Sequence, residues 1–171
     1  MESMIHNLKN GSAVITAIDQ EQGHNWMLIS VNPPPVFDPV HVGKWILAGI
    51  DADKAPALCV AAVLSGAVLE AKHMLLNDGI PIPKGGSTTI CCFYLNGNDM
   101  EGHRKIIGFL KRHNYIRRLI SGRYVNLSFK YNRQTVDGEY GRTFVPLLRL
   151  SDVMDLETGE WINQERNDRD G

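Results

Sequence analysis

Five cations in this sequence sit on or beside elements with a clear local pattern: Lys44, Lys72, Lys130, Arg133 and Arg142. Lys44 opens an apolar stretch beside Trp45, and Lys72 lies within the otherwise apolar run AVLEAKHML. Lys130 ends the alternating stretch YVNLSFK, and Arg133 and Arg142 flank the Gly-bearing turn beyond it. Guanidinium forks chelate phosphate oxygens and ammonium groups act as point charges, so such groups brought together would hold a doubly charged anion. Trp45, or Trp26, could add an aromatic face to that pocket. Each group also has a plainer reading. Glu70 lies two residues from Lys72 on the same strand face and could pair with it. Arg133 and Arg142 could decorate a solvated hairpin, and the tryptophans could belong to the core.

Acid–base chemistry has one candidate pair. Lys72 as a base and His73 as an acid, with His24 as a substitute acid, would suit elimination of a phosphate. Neighbouring side chains on a regular strand point to opposite faces, so the Lys72–His73 pair would need a bulge. The other histidines are scattered and fit structural roles. Cys59, Cys91 and Cys92 have no metal-ligand spacing, and they read as reduced, small apolar residues of an intracellular, cytoplasmic protein. Neither a metal nor a cofactor is expected. PKGGST has the composition of a phosphate loop but not its spacing, and HExxH, CxxC and nucleophile-elbow motifs are absent.

The elements that must position these residues follow from periodicity and punctuation. WMLISV (26–31) and KWILAGI (44–50) read as strands, separated by a proline-rich loop. A helix follows DADKAP, with Asp51 or Asp53 as cap, Ala57, Val60, Ala61 and Leu64 as its buried face, and Gly66 as its stop. AVLEAKHML (67–75), with a short helix as the alternative, and TTICCFYL (88–95) read as strands around the loop NDGIPIPKGGS. Asn98 or Asp99 caps a second helix that runs to about His113, with Ile106, Ile107 and Leu110 buried. YVNLSFK (124–130) alternates, with Lys130 on the polar side, and RTFVPLLRL supplies a last edge strand. The sum is an α+β fold, a mainly antiparallel sheet with two principal helices packed on one face. Lys130 is then expected on the open face.

The chain has 171 residues, 43% hydrophobic and 22% charged, which suits one domain over residues 1–160. Residues 161–171 read as a disordered tail. A formal net charge of -1 gives no global field toward nucleic acid or membrane, so nucleic acid is a disfavoured partner. No apolar run approaches the roughly 20 residues that span a bilayer, and the N-terminal stretch lacks the pattern of a secretory signal.

In this order the segments GKWILAGI, DKAPALCVAAVLSG, AVLEAKHM, TICCFYLNGNDMEGHRKIIGFLKRHN and YVNLSFKYNRQT resemble a family named for a basophilic-leukaemia-expressed protein. It is also called the putative phosphothreonine-lyase-domain family. The likeness covers roughly residues 24 to 135 and rests on Lys44-Trp45, Lys72 and Phe129-Lys130. It implies a fold like the cap-binding translation initiation factor, a curved antiparallel sheet backed by helices. It also implies a distant likeness to bacterial phosphothreonine lyases, in which a lysine removes the Cα proton, a histidine protonates the leaving phosphate and arginines hold it. Here the lyase lysine falls on Ile46 and the histidine near Leu28. The late arginine falls on Lys130, and a second one reaches Arg142 only with a gap. The expectation is therefore a protein that binds a phosphorylated peptide or nucleotide-like anion on the open sheet face. A β-eliminating lyase and a non-catalytic interaction domain are the alternatives.

Overall fold

Residues 42–51, VGKWILAGID, show how the fold is built. Trp45 and Leu47 are buried in the main core, whereas Lys44 and Ile46 point the other way, as the two-residue period of a strand requires. The computed structural model describes residues 4–7, 13–21, 23–76 and 87–163. Among the described residues there are eight strands: β1 (Met4–Asn7), β2 (Ala13–Glu21), β3 (His24–Val31), β4 (Val42–Asp51), β5 (Glu70–Met74), β6 (Thr88–Asn96), β7 (Ser128–Tyr131) and the two-residue β8 (Leu148–Arg149). They form one open sheet in the order β1-β2-β3-β5-β6-β4-β7-β8, and every pairing is antiparallel. The α+β reading holds: two main helices, α1 (Ala55–Leu64) and α2 (Met100–Arg112), share one core with the sheet, and α3 (Asn132–Val136) is a single short turn.

The core between helices and sheet takes Ile29, Trp45, Leu47, Ala71, Cys91, Phe93, Leu95 and Phe129 from the strands. Leu58, Cys59, Ala62, Ile106, Ile107 and Leu110 meet them from the helices. A smaller cluster of Trp26, Val42, Cys92 and Tyr94 lies on the other face, with Ile46, Met74 and Ile90 packed against it. Cys91 and Cys92 thus fall on opposite faces, as adjacent strand residues must, and all three cysteines are free and buried.

Several expectations need correction. The buried side of α1 is Ala55, Leu58, Cys59, Ala62 and Val63, whereas Ala57, Ala61 and Leu64 are exposed. This helix is apolar nearly all round, so its periodicity does not choose a face. Its N-cap position is Lys54, with no side-chain cap, and Asp51 instead forms an ion pair with Lys54 at 3.3 Å. At its end Ala67 N–H donates to the Ala62 carbonyl and Gly66 N–H to that of Val63, with Gly66 at φ +77°, the Schellman geometry that favours glycine. Asp99 caps α2 through Gly102 N–H at 2.9 Å, as its position suggests.

The strand expected over 124–130 is confined to 128–131, because its outer partner β8 pairs with it at only two positions. The turn expected after Lys130 is the short helix α3. Trp161, assigned to the tail from sequence, bridges Met154 and packs on the core. Most of the expected loop at 77–87 and of the tail, residues 77–86 and 164–171, lies outside the described residues.

Candidate functional site

The face of the sheet away from α1 and α2 carries a cavity of about 320 Å³. Its floor is laid by alternate residues of four strands: Trp26 on β3, Lys72 and Met74 on β5, Ile90 and Cys92 on β6, and Lys44 and Ile46 on β4. Lys130 of β7, Thr135 of α3 and Tyr140 close one side, and Glu21 and His24, at the end of the β2–β3 hairpin, close the other. A second lobe of about 300 Å³ shares Glu21, Lys44, Lys72 and Thr135, and adds Asp19, Glu70, Tyr94 and Asn132.

Register decides which cations meet. Lys44 is directly opposite Lys130 across β4–β7 and opposite Tyr94 across β4–β6, while Lys72 is opposite Cys92 across β5–β6. Directly opposed residues have Cβ atoms about 4.5–5.5 Å apart, and like charges placed so repel. All three lysines are nevertheless buried, at 7%, 3% and 5% exposure for Lys44, Lys72 and Lys130. Buried lysines call for partners. Lys72 forms an ion pair with Glu21 and stands 4.5 Å from the Trp26 ring centroid and 5.7 Å from that of Tyr94. Lys44 donates to Thr135 Oγ1 at 3.2 Å and lies 5.5 Å from the Tyr94 ring. Lys130 donates to the Glu139 carbonyl and lies 3.7 Å from the Tyr140 ring and 5.1 Å from Phe144.

The electrostatics report the same convergence. Burial alone would raise the Glu21 pKa, but the Lys72 hydrogen bond and the charges of Lys72, Lys44 and Lys130 outweigh it and hold the carboxyl below its usual range. Burial lowers both Lys44 and Lys130. Burial also pushes the Cys92 thiol up to about 12 despite Lys44 and Lys72, so it is an inert wall residue rather than a nucleophile. In the second lobe, burial raises the Glu70 pKa, reinforced by Asp19 and opposed by Lys72.

Of the five cations singled out from sequence, Lys44, Lys72 and Lys130 face one cavity, and Arg133 and Arg142 do not. Arg133 and Arg142 are exposed and absent from its lining, and Arg133 lies over the Tyr131 ring at 4.7 Å. Trp45 is fully buried on the helix side, where its Nε1–H donates to His103 Nδ1 at 3.0 Å. His103 Nε2–H in turn donates to the Gly97 carbonyl at 2.8 Å, which assigns a neutral ring, and burial lowers its pKa accordingly. His73 also faces the helix-side core. It pairs in register with Cys91, and no bulge interrupts β5, so it cannot act with Lys72 on one ligand. His24 does line the cavity, as does Ile46 at the place where the lyase likeness puts its lysine.

Lys72 pairs with Glu21, not with Glu70. Glu21 went unnoticed in the sequence because it is 51 positions away and joins only through the strand order β2-β3-β5. Tyr94 could have been found, since it alternates with Cys92 on a strand whose other face is plainly core. Thr135 and Tyr140 carry no local signal, because α3 and the segment after it had to fold over the sheet. No group of His, Cys, Asp and Glu suited to a metal occurs among the described residues. No helix among them is long and apolar enough to cross a membrane. No protein-family model matches the chain, and no curated protein matches it.

Proposed function

We propose that the protein binds a small phosphorylated or nucleotide-like anion on the open face of its sheet, gripped by Lys44, Lys72 and Lys130. The observation that carries this reading is the burial of three lysines around one cavity, two of them in direct cross-strand register, with Glu21 as the only carboxylate among the described residues that line its main lobe. An arrangement that repels itself is stabilised by an anion placed between the ammonium groups. Trp26 supports a ligand with a polar body, because its Nε1–H is buried without a hydrogen-bond partner among the described residues. The α+β architecture fits the likeness to the basophilic-leukaemia-expressed family, and three buried free cysteines fit an intracellular setting. Elimination chemistry has less support, since Lys72 and His73 face apart.

Thermal unfolding with inorganic phosphate and with a nucleoside monophosphate tests the reading. A ligand at 100 times its dissociation constant adds about 2.7 kcal/mol of stability. Hydrogen bonds to charged groups contribute about 1.5–3 kcal/mol, so Lys130→Ala should weaken phosphate binding by roughly 10- to 150-fold. Glu21→Gln should tighten it, because the Glu21 carboxylate competes with the ligand for Lys72. An unfolding midpoint indifferent to both anions would overturn the reading.

A further inference from the structure

Simple anion binding does not explain why three lysines in one cavity have three different surroundings. Lys72 is ion-paired with Glu21. Lys130 has a backbone carbonyl, the Tyr140 ring at 3.7 Å and the attraction of the Glu139 carboxylate. Both amines are thus held by contacts with the cavity wall. Neither Lys44 nor Lys130 has a carboxylate within ion-pair distance among the described residues, but the hydrogen bond of Lys44 goes to the Thr135 hydroxyl rather than to a carbonyl. A hydroxyl can accept from an ammonium or donate to a neutral amine, so this partner tolerates either form. The charged and titratable groups that bear on Lys44 are Cys92 on β6 and Lys130 on β7, the two strands beside it, and Lys72 on β5 and Glu21 on β2 from farther across the sheet.

We propose that Lys44 is a nucleophilic amine, and that the cavity takes a small aldehyde carrying a phosphate group, whose anion Lys72 and Lys130 hold while its carbonyl carbon meets Lys44 Nζ. This rests on the anion reading, keeps Lys72 and Lys130 as the grip, and moves Lys44 from that grip to the reaction. Burial, opposed by Cys92 and Glu21 and reinforced by Lys72 and Lys130, keeps Lys44 below the usual lysine range. Burial lowers Lys130 as well, opposed by Glu139, Glu21 and Cys92. An ordinary lysine is neutral in about one molecule in a few thousand at pH 7, so a desolvated amine beside two cations has a large advantage as a nucleophile.

In the step itself the Nζ lone pair forms the C–N bond and the carbonyl π pair moves to oxygen. A proton passes from nitrogen to that oxygen, and water departs to leave a C=N imine. No oxidant or reductant is consumed. The apolar part of the wall, Ile46, Met74 and Ile90, limits water on the side of the cavity away from the charges, which favours the imine over its hydrolysis.

The test incubates the full chain with pyridoxal 5′-phosphate or pyridoxal, traps any imine with borohydride, and maps the adduct by peptide mass. The expected result is one adduct at Lys44, heavier by the probe less one oxygen atom. The phosphorylated probe should label at least about tenfold more than pyridoxal, since the phosphate gains charge-assisted hydrogen bonds. Inorganic phosphate should suppress the labelling. Lys44→Arg and Lys44→Gln should lose it, although the mapping on the unaltered chain does not depend on either variant folding. Labelling at Lys130, labelling spread over exposed lysines, or none at all overturns the proposal. Equal labelling of Lys44 by both probes, unaffected by phosphate, overturns its anionic part together with the anion reading. Stabilisation by phosphate with Lys44 unlabelled sinks the nucleophile alone.

Discussion

At the scale of single residues, two buried polar devices on opposite faces of the sheet have different jobs. On the helix side, Trp45, His103 and the Gly97 carbonyl form a closed chain in which every polar atom is used once. The Trp45, His103 and Phe129 rings meet edge-on, with centroids 5.3 to 5.6 Å apart. Replacing His103 by alanine strands the indole N–H and the carbonyl, and unsatisfied buried groups cost about 1–3 kcal/mol each. His103→Ala should therefore lower the urea midpoint by several kcal/mol equivalent while phosphate affinity, measured on the folded fraction, stays unchanged. On the open side, the chain is not closed. Lys44 and Lys130 oppose one another, and Glu21 satisfies Lys72 from the end of a hairpin. One device is closed on itself, and the other sets two buried lysines against each other.

At the scale of elements, β7 is the strand on which the cavity depends, and it is attached to β4 over three register positions. Gly43 sits in that contact. A Cβ built there would lie 2.7 Å from the backbone carbonyl oxygen of Lys130 and would also meet the Phe129 ring, so the room for β7 is room that only glycine leaves. Overpacking of this kind typically costs about 1–3 kcal/mol. Gly43→Ala should reduce stability by that amount and also weaken phosphate binding, because the displaced strand carries Lys130. A midpoint shift without an affinity change would show that Lys130 does not contact the ligand. The pattern of β4 was readable from its residues, since adjacent side chains cannot share a face. That same rule already separates Lys44 from Trp45, and Lys72 from His73. The short helix α3 was not readable: NRQTV has no apolar periodicity, and it is helical because Gln134 Oε1 accepts from Tyr131 N–H while Gln134 Nε2 donates to the Val145 carbonyl, a contact with a later segment.

At the scale of the whole molecule, pH joins the two faces. His73 and His103 are buried, and burial lowers both pKa values from 6.5. Between their folded values and about 6.5 the unfolded chain binds protons that the folded chain refuses, so stability rises with pH through that window and falls as the solution is acidified. Glu21 acts further down: its lowered pKa contributes stability above the unfolded value of about 4.5, lost as pH falls through the folded one. Denaturant midpoints should therefore begin to drop just below pH 6.5 and drop again below pH 4.5. A His73→Phe, His103→Gln double variant should lose the first step and keep the second; an unaltered first step would assign it to other groups.

What the sequence determined by itself was whatever depends on near neighbours. Strand period placed Lys130 away from Phe129, composition marked two helices, and Asp99 and Gly66 punctuated their ends. The face of α1 expected from sequence, Ala57, Val60, Ala61 and Leu64, was the wrong one, because a helix apolar on every side is oriented only by what it packs against. The site belongs to the same class of facts. Glu21 meets Lys72 across 51 positions, Lys44 meets Lys130 across β4–β7, and Tyr140 closes over them only once the segment after α3 has folded back. Charge and local pattern nominated five cations. Only the register of the sheet and the packing of the segments above it could choose three, because ammonium groups interact through space and the sequence records distance along the chain.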